Sequence, residues 1–182
     1  MEINNNHIRK YPIGIQSFEN LRREGYLYVD KTALIYRLIT TGKPYFLSRP
    51  RRFGKSLLLS TLKAYFEGKK ELFEGLAIEK LEKQWAVHPV LHLDLNAEKY
   101  DSVERLEMQM NSQLLNWESQ YGCDAKDWTY SIRFMNVIKA AYEQTGQQVV
   151  VLIDEYDKPM LESLHDKELR DQFRSLLVAF YS

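Results

Sequence analysis

Cysteine is almost missing from this chain: Cys123 is the single one among 182 residues. One thiol cannot close an intramolecular disulfide, and no Cys/His spacing resembles a zinc site. Both point to a reducing compartment, so a cytoplasmic location is expected. Long apolar runs are missing too. Nothing approaches the ~20 residues of a membrane helix, and the polar start from Met1 to Lys10 lacks the apolar stretch of a signal peptide. Neither membrane insertion nor secretion is expected. Charge of one sign is not in excess, since 25 Lys and Arg balance 25 Asp and Glu. Bulk charge therefore gives no reason to expect a nucleic-acid or membrane partner. Internal repeats, flexible linkers and low-complexity tracts are also absent.

What is present is the composition of a folded globular protein, 45% apolar and 27% charged, with a length suited to one α/β domain. Asp30 reads as the N-cap of a helix running to about Thr40, stopped by Thr41 and Gly42. Pro44 to Leu47 is a short aromatic and apolar run between turn residues, which predicts a buried strand. A helix is predicted over 55–66, with Leu58, Leu62, Tyr65 and Phe66 facing a core. Val90 to Leu95 predicts an interior strand. Asp101 and Glu104 have capping-box spacing, followed by one apolar face through Val103, Leu106, Met110, Leu114, Trp117 and Tyr121. Further helices are predicted over 131–144 and 166–180, the latter with Leu169, Phe173, Leu176, Leu177 and Phe180 on one side. Between them, Val149 to Ile153 is the most β-branched run in the chain and predicts a strand. Apolar strands alternating with helices imply a parallel sheet covered on both faces.

The segment Phe46 to Leu58 stands between a predicted strand and a predicted helix and contains Gly54-Lys55-Ser56. That is the setting of a P-loop, in which backbone N–H groups at a helix start wrap phosphates. Gly54 permits close backbone approach, Lys55 carries charge to the β- and γ-phosphates of ATP, and Ser56 offers a hydroxyl to Mg2+. The residue five before Gly54, where the usual pattern has glycine, is Arg49, and Pro50 removes one backbone donor. Arg49, Arg51 and Arg52 either add positive charge near the polyphosphate or are solvated surface groups. With Phe53 and Leu57 they complete the candidate nucleotide-binding segment.

About a hundred residues further on, Val149 to Ile153 runs into Asp154 and Glu155. A carboxylate at the carboxyl end of a buried parallel strand faces the crevice where ligands of such sheets bind. Asp154 is the expected Mg2+ group. Glu155, one residue further, is expected to polarise the attacking water as a general base, a role that needs hydrogen-bond reach to that water. Taken alone, the two acids could start a loop or cap a helix, as Asp157 and Asp166 are expected to do.

These segments resemble the AAA-ATPase-like family of bacterial proteins, often found upstream of a PD-(D/E)XK nuclease-like domain. The likeness spans nearly the whole chain and rests on Tyr11, Pro12, Ile13, Gly14 and Phe18, on Tyr28 through Thr32, on Arg49 through Ser56, and on Leu152 through Pro159. Arg49-Pro-Arg-Arg-Phe-Gly-Lys-Ser56 looks like that family's own P-loop, which makes Arg49 a family trait. The resemblance implies an α/β P-loop NTPase of the additional-strand type with its C-terminal strands missing. Residues 1–182 are then one domain, incomplete at its C terminus, with a helical and extended segment over 1–43 and the P-loop core over 44–182. It also implies that no residue here supplies the sensor or the arginine finger. Unpaired sheet edges predict self-association, and longer relatives would carry the nuclease-like domain.

The function expected is ATP binding with Mg2+-dependent hydrolysis driving a conformational change. The alternative is a nucleotide-dependent switch, or a gene fragment, that binds ATP without effective turnover. Other residues are given plainer roles. His88 and His92 share a strand face but lack the acids or thiols of a metal site. Asp94 either faces the crevice or does not take part. Asp30 to Thr32 is read as a helix cap, Tyr156 as a packing residue, and Asp157 and Lys158 as supports of their loop. The dispersed aromatics do not make a nucleic-acid surface.

Overall fold

A computed structural model describes residues 10–42, 44–48, 50, 52–96, 98–123 and 128–181. The chain forms two compact units, Met1–Val87 and His88–Ser182.

The described residues of the first unit form helices α1 (Phe18–Arg23), α2 (Thr32–Thr40), α3 (Lys55–Phe66) and α4 (Ala77–Leu81) and a 3-10 turn, Lys70–Phe73. Its core gathers Phe18, Ala64, Leu72, Phe73, Leu76 and Ile78, with Tyr28, Leu57, Tyr65 and Trp85 packed against them. Aromatic rings dominate: the Phe18 and Phe73 centroids lie 4.9 Å apart and those of Phe73 and Trp85 5.2 Å apart, spacings favourable to ring pairs. The helix predicted over 55–66 is present, although Thr61, Leu62 and Ala64 are its buried residues and Tyr65 only lines the cluster.

The N-cap position of α2 is Lys31, without a side-chain cap bond, so Asp30 stands one residue before the place expected for it and binds the helix start in another way. Its Oδ1 accepts the Thr32 N–H (2.8 Å) and hydroxyl (2.6 Å), and its Oδ2 accepts the Ala77 N–H at 2.7 Å. The buried Thr32 hydroxyl in turn accepts the Ile78 N–H at 3.0 Å. Asp30 and Thr32 thus fasten the starts of α2 and α4 to each other. Burial pushes the Asp30 carboxyl up, but the Thr32 and Ala77 donors outweigh it and hold the group below its ordinary value.

The strand expected over Pro44 to Leu47 is not formed. Residues 44–48 join no ladder, and Tyr45, Phe46 and Leu47 are 52%, 71% and 40% exposed. A short apolar run is extended and buried only where a neighbouring strand takes its backbone groups. The run is not part of the sheet formed by the described residues, and the Tyr45 hydroxyl bonds the Thr41 hydroxyl.

The second unit is built on a parallel pair, β1 (Val90–Asp94) and β2 (Val150–Asp154), in register from Val90 beside Val150 to Asp94 beside Asp154. Helices α5 (Val103–Tyr121), α6 (Tyr130–Thr145), α7 (Lys158–Glu162) and α8 (Lys167–Tyr181) complete it. Leu91, Leu93 and Leu95 alternate into a core with Leu106, Met110, Leu114, Trp117 and Tyr121 of α5, Phe134, Val137 and Ala141 of α6, and Phe173, Leu177 and Phe180 of α8. The apolar faces expected on α5 and α8 are those buried. A buried ion pair ties α5 to α6: Arg133 meets Glu118 through Nε–Oε1 at 2.7 Å and Nη2–Oε2 at 2.8 Å, and its Nη1 donates to Asn111 Oδ1 at 2.7 Å. The capping box expected from Asp101 and Glu104 is not what starts α5. Ser102 is the N-cap residue, without a side-chain cap bond, and Asp101 lies 3.8 Å from Arg105 one turn on. The helix begins one residue later than that spacing needs: with Ser102 as the N-cap, the third helical position is Arg105, which has no carboxylate to return to the cap. No helix among the described residues is long and apolar enough to cross a membrane.

Candidate nucleotide-binding site

The loop ahead of α3 is shaped by its backbone. Arg52 and Gly54 have φ of 67° and 76°, while Phe53 between them does not enter the positive region and Lys55 opens the helix. Such alternation turns successive N–H groups toward one side, the arrangement that makes an anion-binding concavity. Glycine suits the second position because side chains rarely adopt that φ; a Cβ there would meet nothing within 4 Å, so backbone conformation and not crowding selects it. The Phe53 N–H closes the turn onto the Pro50 carbonyl at 3.4 Å. Gly54 provides no side-chain cap, and the first bond inside α3 runs from the Leu58 N–H to the Gly54 carbonyl at 3.0 Å. The amides of Ser56 and Leu57 therefore have no partner within the helix, and the helix dipole adds its positive end.

Arg52, Phe53 and Gly54 are exposed, and Lys55, Ser56 and Leu57 are half-buried. Leu57 divides its roles: its side chain packs on the first core while its amide belongs to the helix start. Deeper along α3, Ser60 Oγ accepts the Phe18 N–H at 2.8 Å and so anchors α1 to it. Arg49 and Arg51 lie outside the described residues.

The acidic pair sits at the carboxyl end of the sheet. Val150 to Ile153 supply the β-branched and apolar run that holds β2 in its ladder, and the strand delivers Asp154 into a position only 7% exposed. The Asp154 carbonyl accepts the Leu95 N–H at 3.1 Å, and its Oδ1 accepts the Glu155 N–H at 3.0 Å. Glu155 has φ of 52°, left-handed for a residue that carries a side chain. Strand neighbours in register project to the same face, so Asp94 and Asp154 stand side by side at the strand ends. Asp94 is exposed, and its Oδ1 accepts the Asn96 N–H at 2.8 Å.

Tyr100 and Glu162 also belong to this end of the sheet, and neither stood out in the sequence. Glu162 Oε2 accepts the Tyr100 N–H at 2.7 Å. Tyr100 is 1% exposed and its hydroxyl has no hydrogen-bond partner among the described residues. Burial, then the charges of Asp94, Glu162 and Glu98, push its phenol well above the usual range. The only hint of Glu162 in the sequence is its place four residues after Lys158 on one helix. For Tyr156, burial first and then Asp157 push the hydroxyl up, yet the residue is exposed and not packed away as the sequence led one to expect. His88 Nδ1 lies 2.9 Å from the Gln148 carbonyl. No group of three or more His, Cys, Asp or Glu among the described residues is placed to hold a metal.

Of the residues singled out in the sequence, the structure thus groups Arg52 to Leu57 at the start of α3 in the first unit. It groups Asp154 and Glu155, together with Asp94, at the strand ends in the second.

No solved structure matches the chain. The "uncharacterized protein in vnfD 5′ region" of Azotobacter chroococcum mcd 1 is 40% identical over 175 residues, which cover 96% of this chain and 34% of that protein. The chain spans about a third of the length of that relative. The model of a family described as "Predicted AAA-ATPase" matches residues 12–182. With the loop at α3, the acidic strand end and a match over nearly the whole chain, the protein belongs to the AAA-ATPase-like family.

Proposed function

We propose that residues 1–182 act as one P-loop domain that binds ATP with Mg2+ and hydrolyses it to drive a conformational change. The observation that carries this reading is the alternating backbone of Arg52 to Lys55 opening into α3. It supplies amides for an anion where the sequence places a lysine and a hydroxyl. Lys55 brings its ammonium to the β- and γ-phosphates, and Arg49, Arg51 and Arg52 add positive charge beside them. Mg2+ keeps several waters and takes one or two carboxylates plus phosphate oxygens. Ser56 and Asp154 are the residues that would hold such an ion. When bound, the ion neutralises charge on the phosphates. Glu155 accepts a proton from the attacking water.

The reading is tested by measuring ATP affinity with Mg2+ and phosphate release on the same sample. Lys55→Ala removes a charge-assisted contact and is expected to weaken ATP binding by about tenfold to a hundredfold. Glu155→Gln is expected to slow release by about 10²–10⁴-fold while leaving affinity within about twofold. Undiminished turnover in Glu155→Gln removes Glu155 from the chemistry. Binding without release in the unmodified chain replaces the ATPase with a nucleotide-dependent switch, and absence of both sinks the two readings together.

A further inference from the structure

Glu155 is held in an uncommon conformation, and the residue that closes its turn is tied elsewhere in the same unit. A non-glycine residue at φ 52° persists only where its surroundings over-determine it. Two backbone bonds do so locally. The Glu155 N–H donates to Asp154 Oδ1 at 3.0 Å, and its carbonyl accepts the Lys158 N–H at 3.0 Å.

The Lys158 side chain reaches the segment that follows β1. Its Nζ donates to the carbonyls of Asn96 at 2.8 Å and Glu98 at 2.7 Å. It lies 3.8 Å from Glu162 Oε1 and 5.7 Å from the Tyr100 ring centroid, within the range of a cation–π contact. Glu162, at the other end of α7, takes the Tyr100 N–H. Both ends of α7 therefore grip Asn96, Glu98 and Tyr100. The Lys158 side chain is only 20% exposed, whereas a surface lysine ordinarily keeps its ammonium in water. Here the charge is placed on main-chain carbonyls, where it fixes the spacing between the two loops that leave the strand ends.

We infer that Lys158 is a positioning residue for Glu155: its ammonium anchors the start of α7 to the carbonyls of Asn96 and Glu98 and so keeps Glu155 in its left-handed turn. The catalytic part of this inference rests on the reading of Glu155 as the group that activates water. The structural part stands on the turn alone.

Hydrogen exchange and ATP turnover on the whole chain test it, with Lys158→Met and Lys158→Arg. In Lys158→Met the amides of Tyr100, Glu155 and residue 158 are expected to exchange about tenfold faster, while Val137 and Ala141 in α6 keep their protection. Lys158→Arg keeps a cation with several donors and is expected to restore most of the protection. In turnover, Lys158→Met lowers kcat by about tenfold and leaves KM for ATP within about twofold. Unchanged exchange at the three amides, or equal acceleration in α6, overturns the inference, as does Lys158→Arg behaving like Lys158→Met. Faster exchange with unchanged kcat overturns the positioning of Glu155 for chemistry. An unmodified chain that releases no phosphate but shows the exchange pattern overturns the ATPase reading and leaves Lys158 as the holder of the turn.

Discussion

The loop ahead of α3 and the turn after β2 both bend through left-handed backbone, yet they are supported in different ways. At Gly54 the conformation costs little, because glycine has no Cβ to strain and a Cβ there would meet nothing within 4 Å, although Arg52 two residues before it is left-handed with a side chain. At Glu155 the same region is occupied by a residue with a side chain, held by the Asp154 carboxylate, the Lys158 amide and a strand whose register is fixed over five pairs. An anion cradle made of amides needs only local φ values, and a short stretch of sequence can specify it. A carboxylate aimed from a strand end needs a ladder, a packed core beneath it and a turn that is kept from relaxing.

The largest effect should come from breaking the support under the second region. Arg133→Met leaves Glu118 buried without its cation and should lower unfolding stability by about 3–5 kcal/mol. Adding Glu118→Leu should recover most of it, because the pair then becomes apolar surface. Urea unfolding measures both, and equal stability of the single and double variants would show that the pair is not coupled.

Smaller effects of opposite sign should separate the two turns. Gly54→Ala introduces a Cβ at φ 76° and should cost about 1 kcal/mol through backbone strain alone. Glu155→Gly removes such strain and should raise stability by up to about 1 kcal/mol, after allowing for the flexibility of glycine in the unfolded chain. Loss of stability in Glu155→Gly would mean that the Glu155 side chain, and not its backbone, holds the turn.

The smallest effect concerns Asp30 and appears as pH dependence. Its folded carboxyl lies below the ordinary 3.8. Its contribution is therefore complete above that value and is lost as pH falls through the lower, folded one. Asp30→Asn should flatten the acid limb of Tm against pH, from about pH 5 downward, and leave Tm at neutral pH changed only by the lost bonds. An acid limb identical to that of the unmodified chain would remove Asp30 from the acid sensitivity.

Much of this molecule was legible in its sequence. Periodic apolar residues predicted the long helices α5 and α8 and the faces they bury, because a helix writes its core contacts every three or four residues; of α6 only the span was legible. Two strands were legible, one from its apolar run over Val90 to Leu95 and the other from its β-branched density and the acids that end it. The strand expected at Pro44 to Leu47 was not formed, since apolar character does not supply a ladder partner. The short helices α1, α4 and α7 were not legible, because five or six residues carry too little periodicity and are held by contacts distant in sequence, such as Asp30 with Ala77.

The sequence by itself determined the residue types of the candidate site: Gly54, Lys55 and Ser56 at a helix start, and Asp154 and Glu155 at a strand end. Their order and chemistry are local properties, written in consecutive residues. Only the tertiary structure decided that Asp94 stands beside Asp154, that Glu155 adopts a left-handed turn, and that Lys158 and Glu162 clasp the segment after β1. Each of these depends on strand register or on bonds between residues some sixty positions apart. Such relations come from packing and have no signature in neighbouring residues.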